Sequence, residues 1–186
     1  MRRHSFVTTA LAAATLLLTN CSVMQLPAIQ HGDPVTEPGR QLAVGERGYF
    51  RVFTSESAAD SGIHLSSGAS YQLMINPWSI WVDGNLLYNE NGEAIDERGF
   101  NNEAMTWIGG LFSPLRKAPS NRWFELMLRQ PACNSEQGVT ALERDQQGRY
   151  RYTPSCDGNL VAFVNDVPGF YGNNGGFASI TVQRLR

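Results

Sequence analysis

What most limits the architectures open to this chain is its division into short alternating runs, each stopped by Gly, Pro, Asn or Asp. Tyr71, Leu73 and Ile75 alternate with Gln72 and Met74, and Tyr150 and Tyr152 alternate with Arg149 and Arg151. A period of two places one set of side chains on one face, so each run predicts a half-buried strand. The runs at 49–53, 78–82, 123–129, 159–164 and 177–182 read the same way, and residues 61–68 lead into the run at 71–75. Asn76-Pro77, Pro131 and Pro154 break or end these runs, because proline brings no N–H to a ladder. No long stretch carries the helical period; residues 105–112 are expected as a buried strand or a short turn of helix. Many short strands joined by turns predict an all-β fold, an antiparallel β-sandwich in one domain. Trp78, Trp81, Trp107 and Trp123 are available for its core.

The N-terminal residues carry a different signal. Met1-Arg2-Arg3-His4 is basic, and residues 6–18 are apolar apart from small and hydroxyl side chains, a signal peptide too short for a comfortable membrane span. Leu18-Thr19-Asn20-Cys21 resembles a bacterial lipobox, with Asn20 where a small residue is usual. Cleavage there makes Cys21 the lipidated first residue of a lipoprotein held to the membrane by its anchor; plain secretion after cleavage elsewhere is the alternative. Ser22, rather than Asp, points to the outer membrane, so the expected location is the cell envelope, facing the periplasm or the cell surface. Residues 1–20 are then signal peptide, 21–46 a flexible tether with Pro27, Pro34 and Pro38, and 47–186 the folded domain. Losing the first 20 residues removes Arg2 and Arg3 and no acid, so the formal charge moves from −2 to −4. With no basic stripe, nucleic acid is not an expected partner. Assigning Cys21 to lipid leaves Cys133 and Cys156, which an oxidising compartment pairs as a disulfide.

Between the runs at 160–164 and 177–182 lies a connection far longer than a hairpin requires. Asp166 brings a carboxylate, Asn173 and Asn174 bring amide oxygens, and Gly169, Gly172, Gly175 and Gly176 let the backbone aim carbonyls inward. Calcium takes about six to eight such hard oxygens from a loop that wraps it. Sulfur and imidazole are absent from the stretch, so zinc or copper fits it poorly. A Gly/Asn-rich turn that binds nothing is the alternative.

Asn165-Asp166-Val167-Pro168-Gly169-Phe170-Tyr171-Gly172-Asn173-Asn174-Gly175-Gly176 closely resembles the calcium and sugar loop of the PA-I-like bacterial galactophilic lectins. Residues 60–63, 71–73 and 78–81 resemble that family's early strands more thinly, in the same order. The resemblance implies a jelly-roll-like, galactose-binding-domain-like sandwich that binds calcium. Carried over, the metal ligands are the side chains of Asp166, Asn173 and Asn174 and the main-chain carbonyls of Phe170 and Trp81. Asp166, Phe170 and Asn173 are the implied sugar contacts, with Phe170 standing where the family has Thr. The family also uses a His and a Gln on the sugar, and neither residue type occurs between Asn76 and Arg129. Residues 83–103 are expected as solvated turns that do not match an EF-hand; Asp96, Glu97, Asn101 and Asn102 are the candidates there for a sugar contact.

Three function classes follow. A calcium-dependent carbohydrate-binding lipoprotein, partnered by a glycan or another diol, rests on the loop. A structural or interaction lipoprotein that keeps the fold without sugar binding rests on the missing His and Gln. An enzyme ranks last: Asp83, Asp96, Glu97, Glu103 and Asp166 exist, but nothing in the sequence pairs two of them across a cleft, and His31 and His64 stand apart.

Overall fold

The C-terminal strand shows how the alternating pattern becomes a layer. In β10 (Gly175–Arg184), Ala178, Ile180 and Val182 point inward and are fully buried. It pairs antiparallel on one side with β2 (Arg47–Phe53) and on the other with β4 (Tyr71–Val82). The structure, a computed structural model, describes residues 39–186. The proposed signal peptide, Cys21 and most of the tether lie outside the described residues.

Two five-stranded sheets face each other. One has the order β2-β10-β4-β8-β7, with β7 (Glu143–Arg144) and β8 (Tyr150–Tyr152) completing it. The other has the order β1-β3-β9-β5-β6, built from β1 (Arg40–Gln41), β3 (Ala59–Leu65), β5 (Leu126–Gln130), β6 (Ser135–Gly138) and β9 (Gly158–Val164). The chain passes repeatedly from one sheet to the other, as jelly-roll-like sandwiches do. Tyr71, Leu73 and Tyr150 from one sheet and Leu65, Leu126, Leu128 and Leu160 from the other fill the space between them. The expected all-β sandwich is thus the fold, antiparallel except for β1, which runs parallel to β3.

Four local expectations are corrected or narrowed. Part of the stretch assigned to the tether belongs to the domain: Arg40 and Gln41 form a strand, Leu42 is buried, and the Gly39 N–H donates to Asn159 Oδ1 at 2.8 Å. β4 continues through Pro77, which sits opposite Ala178. Beyond Leu73 the β8 side of β4 is unpaired, so a missing N–H is tolerated there. Of the two readings of residues 105–112, the short turn of helix is the one found and the buried strand is not. These residues form α1 (Trp107–Leu111), whose Thr106 Oγ1 caps the Gly109 N–H, and Trp107 is 77% exposed. Residues 83–103 are not simply solvated, since Ile95, Glu97 and Phe100 are buried.

β5 and β9 are covered on both faces, because residues 113–122 pack over the outside of their sheet. Ala118 meets Met127 and Phe163, and Lys117 Nζ lies 3.9 Å from the Phe163 ring centroid. At the far end of β5, Cys133 and Cys156 form the expected disulfide, with Cα atoms 6.2 Å apart.

Candidate metal and ligand site

β9 stops at Val164 and hands on two buried polar residues, Asn165 and Asp166. Asn165 is a clamp. Its amide donates to the Ala118 and Arg122 carbonyls, each at 2.8 Å, and its Oδ1 accepts the Ala118 N–H at 2.8 Å. Phe124, held in the left-handed region at φ 57°, donates its N–H to the Asn165 carbonyl. A bulky residue keeps that conformation only where its surroundings impose it, and Phe124 is fully buried against Trp81 and Phe100. With Asn165 fixed from both sides, the place of Asp166 is fixed as well.

The Asp166 carboxylate accepts the Val167 N–H at 2.6 Å and Asn174 Nδ2 at 2.8 Å. Asn174 Nδ2 also donates to the Thr54 carbonyl at 3.1 Å, while Asn174 Oδ1 is buried with no hydrogen-bond partner. The Tyr171 hydroxyl donates to the Val164 carbonyl at 2.8 Å and draws a short turn, Tyr171–Asn173, down onto the end of β9. Within that turn the Phe170 carbonyl accepts the Asn173 N–H at 3.1 Å.

The facing sheet supplies a second carboxylate. β4 ends at Val82 and turns tightly, with the Leu86 N–H donating to the Asp83 carbonyl at 2.8 Å. The Asn173 side-chain amide faces the Asp83 carboxylate and favours its charged form. Gly84, at φ 57°, lies against the same amide, and a Cβ there would stand 3.0 Å from Asn173 Nδ2.

Asp83, Asp166 and Asn173 line one side of a cavity of about 210 Å³. Its other walls are apolar, formed chiefly by Ile108 and Phe112 from α1 and the residue after it, by Trp123, and by Phe170. The Phe112 and Phe170 rings meet with centroids 5.7 Å apart. Burial, and after it the charge of Asp166, pushes the Asp83 carboxyl up to about 7, against a smaller opposing effect from Asn173. Burial also raises Asp166, which the Asn174 amide and the Val167 N–H only partly offset. Everything that offsets burial on this pair is a neutral dipole.

Of the residues expected as ligands, the loop members gather here and Trp81 is not among the cavity's lining. Asp166, Phe170 and Asn173 line the cavity, and Asn174 joins through Asp166. Trp81 lies in the ladder opposite Gly176, two residues before Asp83. Asp83 was expected only as one of several unpaired acids, and its nearness to Asp166 is the feature the sequence concealed. The candidates for a sugar contact at 96–102 go elsewhere. Asp96 holds Arg98 at 2.6 Å, Glu97 accepts the Tyr150 hydroxyl at 2.6 Å, and Glu90 holds Asn101. Asn102 Oδ1 accepts Trp123 Nε1 at 2.6 Å.

The donor set fits a hard cation. Two carboxylates and the Asn173 amide line the cavity with no thiolate or imidazole, Met105 being its one sulfur, and Asn174, held on Asp166, has a buried amide oxygen that lacks a donor. Among the described residues, no group of three His, Cys, Asp or Glu side chains could hold a metal. Any ion here would therefore draw on amide and main-chain oxygens beside the two carboxylates.

No protein-family model matches the chain, and no curated protein matches it. Among solved structures it is similar to one described as "EclA N-terminal domain; PllA-like lectin", with 18% identity, 74% of this chain and 95% of that chain covered, and a TM-score of 0.49.

Proposed function

We propose that this protein is a cell-envelope lipoprotein, anchored through Cys21, whose sandwich binds calcium and through it the vicinal hydroxyls of a glycan. It belongs on this reading with the PA-I-like lectins and performs no chemistry of its own. Asp166, Asn173 and Asn174 would bind the metal through side chains, and Phe170 and Trp81 through main-chain carbonyls. The observation that carries the reading is Asn174 Oδ1, buried without a donor on the amide that already holds Asp166. A cation supplies the missing partner. Open coordination positions would then receive two sugar hydroxyls, as a carboxylate-rich calcium site permits.

The sugar would differ from those the family's His and Gln recognise. Where polar contacts are expected, the cavity presents Ile108, Phe112 and Phe170, which favour an apolar sugar face. The same apolar wall favours a second reading, an interaction lipoprotein whose partner is a protein.

Calorimetric titration of calcium into the full chain in detergent separates these readings. The intact chain is expected to bind one calcium ion, and Asp166→Ala to weaken binding by about a hundredfold or more, since it removes a charged ligand. A glycan screen with and without calcium follows. Absence of calcium binding to the intact chain overturns the proposal, and calcium binding without any glycan leaves the second reading standing.

A further inference from the structure

We infer that Asp83 is itself a ligand of this metal, so that one carboxylate from each sheet holds the ion and clips the two layers together. The inference rests on the calcium reading above and adds a residue that the loop resemblance does not supply. Asp83 leaves the end of β4 and Asp166 leaves the end of β9, so the pair comes from opposite sheets at the same end of the sandwich. Both line the cavity with Asn173, whose side chain reaches across to Asp83.

The turn that presents Asp83 is built for close approach. The Leu86 N–H closes it on the Asp83 carbonyl, and Gly84 leaves just the room that Asn173 occupies. A larger residue at position 84 would push against that amide and would be strained at φ 57°. The Oδ1 of Asn174, whose Nδ2 donates to Asp166, is a buried acceptor without a donor that a cation beside Asp166 would satisfy. A buried and a half-buried carboxylate compensated only by neutral dipoles are unfavourable neighbours; a divalent ion between them removes the repulsion.

The inference also narrows the ligand class. Asp83 and Asp166 together match the charge of calcium, so the metal keeps no excess positive charge to attract an anion. Neutral hydroxyls are then the ligands of its open positions, and an uncharged polyol is preferred over an acidic sugar.

Asp83→Asn in the full chain tests this, because it keeps the shape and one oxygen while removing the charge. Calcium affinity is expected to fall by about tenfold or more, as calcium sites are tuned by ligand charge. In EDTA the variant is expected to melt at or above the temperature of the unaltered chain, since a repelling carboxylate is gone; a merely structural Asp83 would give a lower melt. Calcium binding unchanged by Asp83→Asn but lost in Asp166→Ala overturns this inference alone. No calcium binding to the unaltered chain brings down both readings. A lower melt in EDTA together with unchanged affinity assigns Asp83 to the fold and overturns the inference as well.

Discussion

At the scale of single residues, the pair Asp83 and Asp166 gives the metal-free protein a pH dependence of unusual sign. Burial and mutual repulsion raise Asp83 to about 7, above its ordinary 3.8, and burial raises Asp166 in the same direction. The folded chain therefore holds more protons than the unfolded chain between those values. Its stability is full below about pH 4 at this site and declines as pH rises toward 7, by up to about 1.4 kcal/mol per unit for each such group. Thermal melts in EDTA at pH 5 and pH 7.5 are expected to show the higher melting temperature at pH 5. Saturating calcium is expected to reverse the order if, as proposed, the metal is held by the ionised pair. Most of this site is legible in the sequence, since Asp166, Phe170, Asn173 and Asn174 sit on one continuous loop. Asp83 is not legible. Its place depends on the register shift between Gly176 and Phe177 in the β10–β4 ladder, a long-range feature that no local pattern encodes.

At the scale of elements, α1 and β8 show where composition misleads and where periodicity does not. The alternation of Tyr150 and Tyr152 maps onto a strand with both rings buried. The apolar run at 105–112 carries no such period, and its residues do not share one environment. Trp107, Ile108 and Leu111 are exposed, while Trp123, in a stretch of similar composition, is 2% exposed and stacks on Phe100. Aromatic content alone could not tell these two tryptophans apart, because the difference lies in what the fold brings over each. Trp107→Ala is accordingly expected to change stability by no more than about 0.5 kcal/mol. Trp123→Ala is expected to lower it by about 3–5 kcal/mol, since it opens a cavity and removes the indole N–H bond to Asn102. Urea denaturation of the two variants measures both. Pro77 is the complementary case: a residue that signals a break lies within a continuous strand because one side of that strand has no neighbour to satisfy.

At the scale of the whole molecule, stability and the candidate site are placed at opposite ends of β5. Leu126 lies beside Val164 and the loop that carries Asp166, whereas Gln130 leads into Cys133 and the disulfide. Gln130 braces that end, donating to the Cys156 carbonyl at 2.7 Å and accepting from Tyr152 and Ser155. Replacing both Cys133 and Cys156 by Ser is expected to lower stability by about 3 kcal/mol, the chain-entropy value for a loop of this size. Calcium affinity, measured on the same variant below its unfolding transition, is expected to stay at the level of the unaltered chain. The parallel strand β1 carries a consequence of a mechanical kind. A pull applied to the chain ahead of Gly39 would enter the domain there and be borne first by a two-residue ladder on β3 and one hydrogen bond to Asn159. Behind it stands the seven-residue register of β2 on β10. The short strand would thus serve as a breakaway link, yielding first under load while the longer ladders of the sandwich hold.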